Sequence, residues 1–118
     1  MKSILIFSPD SSLCASLMMY FNDKYNVTAT TKFDDIIGII KSTKFDLIIM
    51  DSEPDKKTAG LIDGVAEKYP DLPIILTYVY TSKYAEIENG LKEHVAAVFY
   101  KPIDLADVSE RIDFFIWM

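Results

Sequence analysis

The chain has 118 residues, half of them hydrophobic, with one cysteine, one histidine and 18 acidic against 12 basic side chains, a net charge of −6. That length fits a single domain, residues 1–118, with enough chain to bury about two-thirds of its unfolded surface without staples. Cys14 has no partner for an internal disulfide, Cys14 and His94 are too few for a structural zinc site, and the acidic excess argues against nucleic acid as a direct ligand. A membrane-spanning helix needs about 20 consecutive apolar residues, and the longest runs here, such as Val95 to Tyr100, fall far short. The apolar stretch after Met1-Lys2-Ser3 stops at Ser8-Pro9, too short for a signal-peptide core, so the expectation is a soluble cytoplasmic protein.

Ile4 to Phe7 opens the chain as a continuous apolar run. Asp10 or Ser11 then caps a helix whose Leu13, Leu17, Tyr20 and Phe21 share one face. Asn26 to Thr30 is a second, more polar run, followed by Phe33, Ile36, Ile37 and Ile40 at helical spacing. Asp46 to Met50 is a third run, and Leu61, Val65 and Tyr69 then recur at helical intervals until Pro70. Pro73 to Thr77 is a fourth, with Ser82 as the cap of a helix carrying Tyr84, Ile87 and Leu91. Ala96 to Tyr100 is the last, and Asp104 caps a final helix with Leu105, Val108, Ile112 and Phe115 on one stripe. Near-continuous apolar runs are what strands buried on both faces of a parallel sheet require. Strict alternation of strand and helix predicts an α/β fold: one doubly wound, five-stranded parallel (βα)5 sheet of the flavodoxin-like kind.

In such a sheet, functional groups gather beyond the carboxyl ends of the strands. Three candidates stand there: Asp51 after Ile48-Ile49-Met50, Thr77 after Ile74-Ile75-Leu76, and Lys101 after Phe99-Tyr100. Together they would put a carboxylate, a hydroxyl and an ammonium in one shallow pocket. The residues leave two uses open, a reactive carboxylate or a static Asp51–Lys101 ion pair.

Over essentially its whole length the chain resembles the receiver domain of bacterial two-component response regulators. The resemblance is carried by Ile4-Leu5-Ile6-Phe7, Asp51, Asp71-Leu72-Pro73-Ile74-Ile75, Thr77 and Lys101-Pro102, in that order. It implies that Asp51 accepts a phosphoryl group from a sensor histidine kinase or phosphotransfer protein, and that the domain then signals to a downstream protein or effector domain. Thr77 and Lys101 would stabilise the phosphoryl group. A carboxylate attacking a phosphoryl group meets negative charge, and positioned donors and cations offset that repulsion. The domain would be no enzyme beyond catalysing its own phosphorylation.

The resemblance also marks departures. The family's acidic pair after the first strand falls on Ser8 and Pro9, which carry no charge, with Asp10 next. The magnesium set it implies is reduced to Asp51, Asp10 and the Glu53 backbone carbonyl, and affinity for hard cations follows carboxylate count. Magnesium is therefore expected to bind weakly or not at all. The family's aromatic position on the last strand holds Val98, leaving Tyr78 or Val79 as substitutes. These departures support an alternative, a pseudo-receiver acting as a phosphorylation-independent protein-interaction module. A Gly-free Ser8-Pro9-Asp10-Ser11-Ser12 loop is poorly suited to cradle a flavin phosphate on the same fold class. Phe114 and Trp117 fall outside the last helix's core stripe and suggest an interface, with a homodimer as one use.

Overall fold

The computed structural model describes residues 1–117, and Met118 at the end of the aromatic C-terminal run lies outside the described residues. The apolar runs become strands β1 (Ser3–Phe7), β2 (Asn26–Thr30), β3 (Leu47–Asp51), β4 (Ile74–Tyr78) and β5 (Ala97–Tyr100). Between and after them lie helices α1 (Ser11–Phe21), α2 (Ile36–Ser42), α3 (Lys56–Lys68), α4 (Ala85–Leu91) and α5 (Leu105–Trp117). Short 3₁₀ turns, Phe33–Asp35 and Ser82–Tyr84, lead into α2 and α4. The strands form one parallel sheet in the order β2-β1-β3-β4-β5, so the expected (βα)5 architecture is the observed one.

Alternation along each strand splits the core into two layers. Leu47 and Ile49 of β3 join Ile4, Ile6 and Ile75 under α1 and α5, against Cys14, Leu17, Val108 and Ile112. Ile48 and Met50 join Leu5, Phe7 and Leu76 under α2, α3 and α4, against Ile36, Ile62, Val65 and Leu91. The three central strands are buried on both faces, which is why their sequences run apolar without alternating. The outer strands β2 and β5 are partly exposed, which matches the polar character of Asn26 to Thr30.

Several local expectations shift. The third, fourth and fifth strands begin one residue later than their apolar runs. Asp46 precedes β3, its amide donating to the Ser3 carbonyl and its carboxylate accepting the Ser3 amide, both at 2.8 Å, and Pro73 has no N–H to enter a ladder. Asp10 caps α1, accepting from the Ser12 and Leu13 amides, and Asp104 caps α5 through Ala106 and Asp107. Ser82 caps nothing, because the chain enters α4 through a 3₁₀ turn with no side-chain cap bond. Tyr20 and Ile37 are exposed. In α3 the stripe is Thr58, Ile62 and Val65, with Leu61 and Tyr69 only partly buried, because a strict four-residue repeat drifts around a 3.6-residue helix. In α5 Val108, Ile112 and Ile116 are buried, and Phe115 is only partly buried beside them. No helix among the described residues is long and apolar enough to cross a membrane.

Candidate functional site

Strand order reverses at β1, flanked by β2 and β3, and the carboxyl ends of β1 and β3 open there into a crevice. Asp51 ends β3 with its side chain on the α1–α5 side of the sheet, and Thr77 is its register partner on β4. Ser8 follows β1 directly and is fully buried, its amide donating to the Thr30 carbonyl at 3.3 Å. Lys101 follows β5 and is fixed by its own amide, which donates to the Tyr78 carbonyl at 2.8 Å. The Lys101–Pro102 peptide is cis.

These residues converge on one carboxylate. Asp51 is 4% exposed. The Ser8 hydroxyl donates to its Oδ2 at 2.6 Å and the Thr77 hydroxyl to its Oδ1 at 2.8 Å. The Lys101 ammonium lies 3.2 Å from both oxygens. Burying a charge demands a counter-charge and satisfied lone pairs, and Asp51 has both. Pro9, Glu53, Val79 and Lys101 form the rim of an open pocket above it.

Of the other residues of the expected magnesium set, Asp10 does not line this pocket, and Glu53 lines it with its polar groups already engaged. Asp10 accepts the amides of Ser12 at 2.9 Å and Leu13 at 3.2 Å through Oδ1, so its carboxylate is committed to the N-terminus of α1. The Glu53 carbonyl accepts the Asp55 amide at 2.8 Å, and its carboxylate accepts the Tyr84 hydroxyl at 2.8 Å. Among the described residues no three His, Cys, Asp or Glu side chains gather as metal ligands. Magnesium asks for near-octahedral oxygen donors, most of them anionic or water. The side chains that touch Asp51 are two hydroxyl donors and an ammonium, and the other carboxylates on the pocket lining, Glu53 and Asp55, accept from the Tyr84 hydroxyl and the Thr58 amide, so the donor set as arranged does not fit magnesium.

A second polar cluster occupies the same edge on the opposite face of the sheet. Glu88 of α4 is 7% exposed. Its Oε1 accepts the Tyr78 hydroxyl at 2.5 Å and its Oε2 the Tyr100 hydroxyl at 3.0 Å. Tyr78 is in turn edge-on to Tyr84 and Tyr100, with ring centroids 6.3 and 5.6 Å apart. Burial, then the bond to Glu88, pushes the Tyr78 and Tyr100 phenols above their ordinary range. The hydrogen bond to Glu53 raises Tyr84. The aromatic next to the Asp51 pocket is therefore buried Tyr78, while Val79 is exposed in the following loop. Sequence reasoning missed this cluster, although a signal was present. Tyr84, Glu88 and Leu91 follow i, i+4, i+7, so a carboxylate interrupts the buried stripe of α4.

Cys14 packs inside the α1 layer, where burial raises its thiol pKa. Phe114 and Trp117 are exposed, at 56% and 57%. The Lys2 ammonium lies 5.6 Å from the Trp117 ring, and Arg111 stacks 5.9 Å from Phe99 beside Phe114.

No family model and no curated protein sequence matches the chain. Solved structures do. A response-regulator receiver domain protein from Methanospirillum hungatei superposes with a TM-score of 0.87 at 23% identity, over 98% of this chain and 94% of that one. A two-component response regulator from Clostridium difficile gives 0.84 at 21% identity, over 99% and 97%. The chain has the receiver fold. A putative pilus assembly protein from Burkholderia thailandensis shares this receiver fold at 0.80 and 22% identity, with both chains fully covered.

Proposed function

We propose that the chain is a receiver-type signalling module that acts by protein–protein contact, with Asp51 kept as an unmodified carboxylate. The observation that supports this best is the Ser8 hydroxyl on Asp51 Oδ2, at the position where the receiver resemblance expects an acid. Both Asp51 oxygens are already engaged by donors. To attack a phosphoryl group the carboxylate must give up at least one of those bonds, with Lys101 as its ion-pair partner to offset the charge. In this reading the module is not an enzyme and resides in the cytoplasm. Its partner is a downstream protein or effector domain, and the exposed Phe114 and Trp117 of α5 suit such a contact or a homodimer.

A second reading, phosphoacceptance at Asp51 from a histidine kinase or phosphotransfer protein, is favoured by Thr77 and Lys101. Both donate to the carboxylate from neighbouring strand ends, as a phosphoryl group on Asp51 would require. Incubation with acetyl phosphate, with and without magnesium, followed by intact mass measurement separates the two. The interaction-module reading expects no adduct. One added phosphoryl mass in the wild type, absent in Asp51→Ala, supports the second reading and rejects the first.

A further inference from the structure

The Ser8 hydroxyl has one hydrogen and two lone pairs. The hydrogen goes to Asp51 Oδ2 at 2.6 Å, and an acceptor site takes the Asp10 amide at 3.1 Å. The first bond fills a coordination position of the carboxylate. The second fixes the loop between β1 and α1 so that Asp10 begins the helix and its carboxylate caps it. Ser8 is fully buried, so bulk water offers no replacement for either bond. The Lys101 ammonium, 3.2 Å from both Asp51 oxygens, supplies the positive charge.

We propose that Ser8 makes the Asp51 pocket independent of divalent cations, its hydroxyl taking a cation's place on Oδ2 while its backbone contact holds Asp10 away from the pocket. This rests on reading Asp51 as an unmodified carboxylate and adds how that state is maintained. A divalent cation entering here would have to displace a hydroxyl hydrogen and approach an ammonium to reach Asp51, while Glu53 and Asp55 on the pocket lining are held by Tyr84 and by the N-terminus of α3. A single change at Ser8 reverses the balance. Ser8→Asp would place two carboxylates within contact, which repel unless a cation bridges them.

The test follows thermal unfolding and tryptophan fluorescence of the whole chain during titration with magnesium and manganese. The wild type is expected to show no response at millimolar concentration. Ser8→Asp is expected to unfold at lower temperature without metal and to recover with millimolar magnesium or manganese, since affinity for hard cations follows carboxylate count and a ligand bound only by the folded chain stabilises it. Adding Asp51→Asn to that variant should abolish the response. A wild-type midpoint that rises with magnesium and stops rising in Asp51→Asn overturns the proposal. So does a folded Ser8→Asp chain that ignores both metals.

Should Ser8→Asp fail to fold, Ser8→Ala carries the test through amide hydrogen exchange. Exchange at the Asp10 amide and the first turn of α1 should rise about tenfold, the scale of one lost buried hydrogen bond, while the β3 and β4 amides stay protected. Unchanged exchange at Asp10 overturns the proposal. Acetyl phosphate labelling of the wild type reports on the Asp51 reading, whereas the metal response of Ser8→Asp reports on Ser8. Labelling without a wild-type magnesium response would reject the former and leave the latter standing.

Discussion

Two buried carboxylates sit at the same edge of one sheet and are stabilised by opposite means. Asp51, on the α1–α5 side, has two hydroxyl donors and an ammonium. Glu88, on the α4 side, has two phenols and no hydrogen bond from a lysine or arginine among the described residues. The Asp51 cluster gathers groups from the ends of β1, β3, β4 and β5, while the Glu88 cluster ties one helix to two of those ends. The difference teaches where adaptability lies. Lys101 is partly exposed and can turn to water when its partner is lost, whereas the Tyr78 phenol is enclosed. The Asp51 site is therefore expected to tolerate loss of its carboxylate better than the Glu88 site does. The Glu88 site is a fastener.

The sharpest way to break this comparison is truncation of each carboxylate in turn. Glu88→Ala should cost about 3 kcal/mol, since it strands the enclosed Tyr78 hydroxyl, weakens the half-exposed Tyr100 bond and leaves a cavity. Asp51→Ala strands the buried Ser8 and Thr77 hydroxyls but also releases a buried charge whose partner Lys101 reaches solvent, so it should cost less, about 2 kcal/mol. Urea unfolding of both variants gives the order directly. An Asp51→Ala variant less stable than Glu88→Ala would show that the Asp51 cluster is the structural one.

Salt sharpens the same contrast on a smaller scale. Lys101→Met leaves buried Asp51 without its counter-charge and should cost about 2 kcal/mol at low ionic strength, and modestly less in about 1 M sodium chloride, because a pair this buried is only partly screened. Glu88→Gln should show a cost that does not change with salt, since no ion pair is screened. Chemical denaturation with urea at the two salt concentrations measures both. A salt-dependent Glu88→Gln cost would mean that a cation unaccounted for in the static structure reaches that carboxylate.

What was legible in the sequence follows the same division. The strand ends carrying Asp51, Thr77 and Lys101 could be read because each is a polar residue closing an apolar run, and parallel strands bring such ends together. The loss of acid at Ser8-Pro9 was equally plain, as a matter of composition. That Ser8 donates to Asp51 and positions Asp10 was not, because it depends on a hydroxyl rotor and on the path of one loop. Asp10 illustrates the limit: its carboxylate suits a cap as well as a metal ligand, and local geometry decided for the cap. Glu88 was hidden for a different reason. Glu88 stands on α4 and its partners come from β4 and β5, so their meeting depends on the register of two strands against a helix. Tyr78 and Tyr100 are register partners across β4 and β5, so the pair was accessible once the strands were placed.

The smallest expected effect is also the one that isolates the Glu88 cluster from every other ionisable group. The Tyr78 phenol is raised above its ordinary value near ~10 because burial and the Glu88 carboxylate both oppose the phenolate. A group whose pKa is raised by folding contributes stability that is complete below its unfolded value and is lost as pH climbs through the folded one. From about pH 10 upward the unfolded chain releases the Tyr78 proton while the folded chain holds it, so stability falls. At half a pH unit above the unfolded value the loss from this residue is about 0.8 kcal/mol. Tyr78→Phe lowers overall stability by removing the bond to Glu88, yet it should flatten this alkaline slope by about that amount. Urea unfolding between roughly pH 9 and 10.5, alongside phenolate absorbance, gives the comparison. Equal slopes in wild type and Tyr78→Phe would mean that the phenol opens to solvent before global unfolding. The fastener at Glu88 would then be looser than the catch at Asp51.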